Sequence, residues 1–351
     1  MHTLTINKQK IGENQPVYFI AEMSGNHGGS KEKAIELIHL AKEAGANAIK
    51  LQTYRADTIT LNAQQPDFLI PADDPWHYKG NLYALYEEAF TPWEWHADLF
   101  TEAQKIGLDI FSSPFDLSAV DFLENLNCPA YKIASPEITD IPMLKKIAKT
   151  GKPIIISTGL AELSDIELCI ETLEKNNCKN YMFLKCTASY PAPFESMNLR
   201  TIPDMIKRFD CPIGLSDHSM GYSVPIASVA LGASVIEKHF KAHKNDDTVD
   251  SFFSLDKDEF KAMISEVRNV EKALGEASYE VKGNADTKFK ARRSLYVAAA
   301  IKKGEHLSAD NIKSVRPSWG LHPKHYFDIL GKTVNRDLEF GERLSLDDIN
   351  P

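Results

Sequence analysis

The chain has 351 residues, 43% hydrophobic and 25% charged, with a formal net charge of −9. That length accommodates one large α/β domain and a smaller one, and the composition is that of an ordinary globular protein. The acidic balance, without a long basic run, excludes a general nucleic-acid binder, and no apolar run reaches membrane-spanning length.

The first residues, MHTLTINKQKIG, lack the apolar stretch of a signal peptide. Eight short apolar runs follow: VYFIAEM (17–23), NAIKLQT (47–53), LDIFSSP (108–114), PAYKIAS (129–135), PIIISTG (153–159), YMFLKCT (181–187), CPIGLSD (211–217) and SVIEKHF (234–240). Segments with apolar spacing of three and four, such as KEKAIELIHLAKEAG (31–45) and DIELCIETLEKNN (165–177), separate most of them. Near-continuous apolar strands, each followed by a helix, imply a parallel sheet covered on both sides. Eight such units predict a (β/α)₈ TIM barrel over residues 1–275. No G-x-G-x-x-G follows the first strand, which argues against an open dinucleotide-binding sheet. Residues 54–90, rich in Asp, Pro and aromatics, read as an inserted loop over the barrel mouth. The five cysteines (Cys128, Cys169, Cys178, Cys186, Cys211) are scattered without a C-x-x-C pair, which points to a reducing, cytoplasmic setting.

A polar, lysine-rich linker is expected at 276–290, followed by a small domain at 291–351. That domain repeats itself: AAAIKKGEHLSADNI (298–312) and NRDLEFGERLSLDDI (335–349) align without a gap, matching Gly304 with Gly341 and Ser308 with Ser345. Each copy predicts a strand, a glycine turn and a serine-capped helix start.

Reactive groups of such a barrel sit at the C-terminal ends of its strands. Those ends carry Glu22, Lys50 and Gln52, Ser112 and Ser113, Lys132 and Ser135 with Glu137 beyond, Ser157 and Thr158, Lys185 and Thr187 with Tyr190 beyond, Ser216-Asp217-His218, and Glu237 with His239. Lys50, Lys132 and Lys185, at the ends of alternate strands, would converge on an anion such as a phosphate or carboxylate, with the nearby hydroxyls as further donors. His218 and His239 close consecutive strands and suit a hydrated divalent ion, Mn²⁺ or Mg²⁺, better than structural Zn²⁺. Alternation would turn Cys186 into the core and make Lys238 structural or solvent-facing. From the residues alone three chemistries stay open: metal-assisted condensation, a Schiff base on Lys132, and simple binding of an anionic sugar.

In this order AEMSGNHGGS, AIKLQTYRADTIT, YKIAS, ISTG, GLSDHS and VIEKHF resemble the sialic acid synthase family, and RRSLYVAAAIKKGE with SVRPSWG resembles its antifreeze-like (SAF) domain. The resemblance spans essentially the whole chain. It implies condensation of phosphoenolpyruvate with an open-chain acetamido-sugar aldehyde, with C–O cleavage and release of phosphate. It implies further that His218 and His239 hold the metal, supported by Asp217 and Glu237, and that Glu22 is an acid/base. Lys50, Gln52, Lys132, Ser135, Ser157 and one serine of the Ser112-Ser113 pair would hold phosphoenolpyruvate, while Tyr190 and Asp250 would face the sugar. Glu137, Lys185 and Ser216 complete the expected substrate-binding set. Arg316 would enter the active site of a neighbouring subunit in a dimer with swapped small domains. Ala188 stands where the N-acetylneuraminate branch carries an Asn, so a different amido sugar is expected as acceptor.

Overall fold

A computed structural model describes residues 3–281 and 285–351. The chain divides between Gly275 and Glu276 into two compact units.

The first unit opens with an antiparallel hairpin of β1 (Leu4–Ile6) and β2 (Gln9–Ile11). Eight parallel strands then close a barrel: β3 (Tyr18–Glu22), β4 (Ala48–Thr53), β5 (Asp109–Pro114), β6 (Tyr131–Ile133), β7 (Ile154–Ser157), β8 (Tyr181–Cys186), β9 (Ile213–Asp217) and β10 (Val235–His239). They lie in sequence order, with β10 closing on β3, as the eight apolar runs predict. Side chains on both faces are buried, because one face fills the barrel and the other meets the surrounding helices.

The first barrel helix, Lys31–Ala44, shows how the sequence sets these elements. Ser30 accepts a hydrogen bond from the Lys33 amide at its start, Ala34, Leu37, Ile38, Ala41 and Ala44 form the buried stripe, and Gly45 ends it at φ 95°. The helix Lys257–Leu274 after β10 starts in a capping box of Asp256 and Glu259. The insertion at 54–90 holds two short α-helices, Ala56–Ile59 and Leu82–Ala89, with two 3₁₀ turns between them. Its Ile70 and Leu85 form a small apolar cluster with Val249, from the loop that follows β10.

The second unit pairs β11 (Ser294–Val297) with β12 (Ile312–Val315) around a core that includes Leu295, Val297, Ile301, Leu307, Ile312, Val334, Leu338 and Leu344. The sequence repeat appears as a two-fold pattern of hydrogen bonds. Ile301 and Leu338, which are matched positions, exchange both backbone bonds, at 2.9 and 2.8 Å. The Gly304 amide donates to Val334 O while its counterpart Gly341 donates to Val297 O. Both glycines sit at positive φ, 86° and 81°, where a side chain would be strained. The expected helix starts are not helices: Ser308 opens a turn, and Ser345 caps the single 3₁₀ turn Leu346–Asp348. Only a few residues separate each serine from the next paired residue, Ile312 or Ile349, too few for an α-helix to nucleate. Within the expected linker stretch, Ala285–Ala291 is helical and its Phe289 stacks on Trp319 with ring centroids 4.7 Å apart.

Candidate active site

Strand register decides which side chains enter the barrel, since Cα partners on adjacent parallel strands point to the same face. Going round the barrel, Cys186 is registered with Ser216, Ser216 with Glu237, His239 with Glu22, Glu22 with Lys50, and Gln52 with Ser113. The contacts confirm that these face inward. Lys50 Nζ lies 2.6 Å from Glu22 Oε2 and 3.6 Å from Glu237 Oε1, and it donates to Ser113 Oγ at 3.4 Å. Lys132 Nζ donates to the same Glu237 oxygen at 2.9 Å, and Ser216 Oγ donates to it at 3.3 Å. Gln52 Nε2 donates to Glu22 Oε1 at 2.8 Å and to Ser24 Oγ at 3.1 Å.

The result is a buried quartet of two ammonium groups and two carboxylates. Burial alone would raise both carboxyls, but the environments separate them. Glu22 stays above its ordinary value, because burial and the Glu237 charge outweigh Lys50 and Gln52. Glu237 falls below its ordinary value, because Lys132 and Lys50 together overcome burial. The two carboxyls are thus pushed in opposite directions, Glu22 toward the protonated form and Glu237 toward the ionised one. Burial lowers Lys132 despite Glu237, whereas the two carboxylates raise Lys50 against burial.

The histidines adjoin this quartet. The His218 and His239 rings stand 5.3 Å apart, centroid to centroid, and His218 Nδ1 lies 3.0 Å from Thr187 O. That carbonyl can only accept, so Nδ1 carries a proton; burial lowers the ring's pKa, but Cys186, the Thr187 carbonyl and Asp217 outweigh it and hold His218 above its ordinary value. His239 is held well below its ordinary value, first by burial and then by the neighbouring cations, and is neutral. Its Nδ1 is buried without a hydrogen-bond partner, 3.6 Å from Asp250 Oδ2. The two imidazoles, His239 with an orphaned nitrogen, could hold a divalent ion whose other ligands would come from water or substrate. Among the described residues no cluster of three or more His, Cys, Asp or Glu forms a complete protein cage for a metal.

Asp250 accepts a short hydrogen bond from Ser24, and burial pushes its carboxyl up to about 6. Ser24, at φ 45°, therefore links Gln52 to Asp250, a role that nothing within SGNHGG announces. Tyr190 packs on His218, with ring centroids 4.4 Å apart, and Phe253 packs on His239 at 4.6 Å. Ser135 Oγ accepts from the Gly159 amide at 2.8 Å. A Cβ on Gly159 would come within 2.9 Å of both Cys186 Sγ and Ser135 Oγ, so only glycine allows this packing. Ser157 Oγ, Glu137 Oε2 and Glu237 Oε2 are buried without partners. Burial pushes Glu137 up to about 7.

Several expected positions differ. Lys185 does not join Lys50 and Lys132: it points to the outer face, where its Nζ donates to Cys186 O at 2.6 Å and it borders Thr201 and Asp204. Cys186 takes the inward place instead, with Sγ 3.9 Å from His218 Nδ1. Of the serine pair, Ser113 faces Lys50, while Ser112 faces outward to Thr53 at 2.6 Å, in a network with His96. Asp217 does not support the histidines directly; its carboxylate faces outward to Lys238 and Ser219. Lys238 is structural but fully buried, because helices cover the outer face. Glu237 pairs with Lys50 and Lys132 rather than with the histidines. Arg316 belongs to the second unit, where it is exposed directly after β12.

Comparison with known proteins gives a consistent picture. The NeuB family model matches residues 37–279 and the SAF domain model matches residues 292–350. The chain is 47% identical over 335 residues to a pseudaminic acid synthase of Campylobacter jejuni, covering 95% of this chain and 97% of the relative. It is 44% identical to a pseudaminic acid synthase of Helicobacter pylori, covering 95% and 98%. A solved N-acetylneuraminic acid synthetase from Leptospira borgpetersenii, in complex with citrate, superposes with a TM-score of 0.72 at 30% identity, covering 81% of this chain and 93% of that one.

Proposed function

The chain belongs to the NeuB family, and from that premise we propose that it is a pseudaminic acid synthase. It joins phosphoenolpyruvate to 2,4-diacetamido-2,4,6-trideoxy-L-altrose and water, forming pseudaminic acid and phosphate. The observation that carries this reading is the inward quartet of Lys50, Glu22, Glu237 and Lys132, set beside His218 and His239 and ringed by unpartnered buried polar atoms. Groups left unsatisfied in a dry site are stabilised when a ligand meets them.

Lys50 and Lys132, with Ser113, Ser135 and Ser157, hold the phosphate and carboxylate of the donor and fix its C3 toward the acceptor. C3 attacks the aldehyde carbon, making the C–C bond and leaving an electron-poor C2. Glu22 supplies the proton that the new hydroxyl needs and lies next to the reacting carbons. Water adds at C2, and the phosphate departs with the bridging oxygen. Glu237 stays ionised throughout and keeps both ammonium groups in place. Lys132, held by Glu237, acts as a positioned charge, so no Schiff base is needed.

His218 and His239 would hold Mn²⁺ or Mg²⁺, which when bound would polarise the aldehyde oxygen and orient water. A homodimer in which Arg316 serves the partner's barrel completes the reading, and the five buried, free cysteines suit a reducing cytoplasm. Under it, Arg316→Ala cripples turnover with the barrel still folded, and full activity in that variant contradicts it. Among the described residues no helix is long and apolar enough to cross a membrane. The reaction type is tested with phosphoenolpyruvate labelled at its bridging oxygen. C–O cleavage sends the label into inorganic phosphate, whereas label retained in the sugar product refutes the proposed order of bonds.

A further inference from the structure

Trp76 comes from the inserted segment and meets the barrel mouth through other aromatic rings. Its ring centroid lies 5.5 Å from Tyr190 and 5.9 Å from Phe252. Phe252 in turn contacts Phe253 at 4.9 Å, and Phe253 lies against both histidines. The rings therefore step away from the metal-facing imidazoles, from His218 to Tyr190 and then to Trp76. Trp76 Nε1, the only polar atom of that side chain, donates to Val249 O at 2.8 Å. This bond fixes the indole and leaves it nothing but carbon to offer a ligand. Trp76 and Tyr190 are half-buried and Phe252 is 41% exposed, whereas Phe253 behind them is buried.

Resting on the reading above, we propose that Trp76 and Phe252, reached past Tyr190, form a specificity wall that receives the terminal C6 methyl group of the acceptor. The aldehyde carbon of the open-chain sugar must lie at the histidines, so its far end extends outward along the rings. A methyl group buries apolar surface there. A hydroxymethyl group loses its water and finds no hydrogen-bonding partner on Trp76 or Phe252. A hydrophobic contact of this size discriminates by roughly ten- to a hundredfold.

The test compares kcat/KM for 2,4-diacetamido-2,4,6-trideoxy-L-altrose and its 6-hydroxy counterpart, using the full-length protein. The wild type prefers the 6-deoxy sugar by about tenfold or more, and Trp76→Ala brings the ratio close to one with KM for phosphoenolpyruvate unchanged. Trp76→Phe, which keeps an apolar ring, restores most of the preference. Phe252→Ala, at the exposed end of the wall, reduces it by a smaller factor and serves if Trp76→Ala does not fold. A preference retained in Trp76→Ala, or absent in the wild type while both sugars turn over, overturns the wall but not the synthase reading. A wild type that uses neither sugar overturns both.

Discussion

The Lys238 ammonium and the Asp217 carboxylate meet at 2.6 Å on the outer face of the barrel, both without solvent exposure. Each directly precedes a histidine of the site, His239 and His218. Lys238 Nζ also donates to Ser219 O at 2.6 Å, and Asp217 Oδ1 accepts from the Ser219 amide. The pair therefore ties the C-terminal ends of β9 and β10 together behind the imidazoles. Lys238→Met leaves a buried, uncompensated carboxylate and should cost about 3–5 kcal/mol in denaturant unfolding. Adding Asp217→Asn to that variant should recover much of the loss. Equal stability of the single variant and the wild type would mean that this ion pair is not the clamp.

Lys185 and Cys186 make opposite predictions about neighbouring positions. Lys185→Met, on the outer face, should leave kcat/KM within about twofold, since surface changes of this kind have small effects. Cys186→Phe should drive a bulky ring toward Ser135 and His218 and reduce turnover by about a hundredfold or more, with the fold retained by circular dichroism. Steady-state kinetics on the two variants distinguish the arrangement; the reverse ranking contradicts it.

These two residues also show where the sequence was hard to read. The eight strands were legible as apolar runs, and Lys50 with Gln52, or Glu237 with His239, shared a face by simple alternation. In YMFLKC, however, both faces are covered and all but the lysine is apolar or small, so polarity does not mark the inward side. Register with β7 and β9 settles it, and that information lies outside the strand. Ser112 and Ser113 posed the same problem of parity. The pairing of Lys132 with Glu237 joins residues 105 positions apart, and nothing local announces it. Alternation leaves Lys238 as structural or solvent-facing, and the covering helices decide for the first.

Glu137 should give the donor site a pH dependence. Burial raises its carboxyl from the usual range to about 7, so the folded protein favours the protonated form. Stability from this group is therefore present at acid pH and is lost as pH rises toward and through about 7. A charged Glu137 also repels the anionic donor. KM for phosphoenolpyruvate should rise above pH 7 in the wild type, and Glu137→Gln should flatten that rise. An unchanged profile in Glu137→Gln would assign the dependence to another group.

The histidine pair predicts metal dependence. Exhaustive chelation should abolish phosphate release, and Mn²⁺ or Mg²⁺ should restore it. His239→Ala, which removes the orphaned imidazole, should weaken metal binding by at least tenfold in a direct titration of Mn²⁺. Full activity after chelation, with no metal detected in the protein, contradicts this assignment.

The choice of reaction partners at the barrel mouth is tested most directly by an acceptor panel. Initial rates of phosphate release are measured with phosphoenolpyruvate and, in turn, 2,4-diacetamido-2,4,6-trideoxy-L-altrose, its manno-configured isomer and N-acetylmannosamine. The highest kcat/KM is expected with the L-altrose sugar, together with a nine-carbon product that matches pseudaminic acid. Turnover with N-acetylmannosamine alone, or no phosphate release with any of the three sugars in the metal-loaded protein, would contradict that choice.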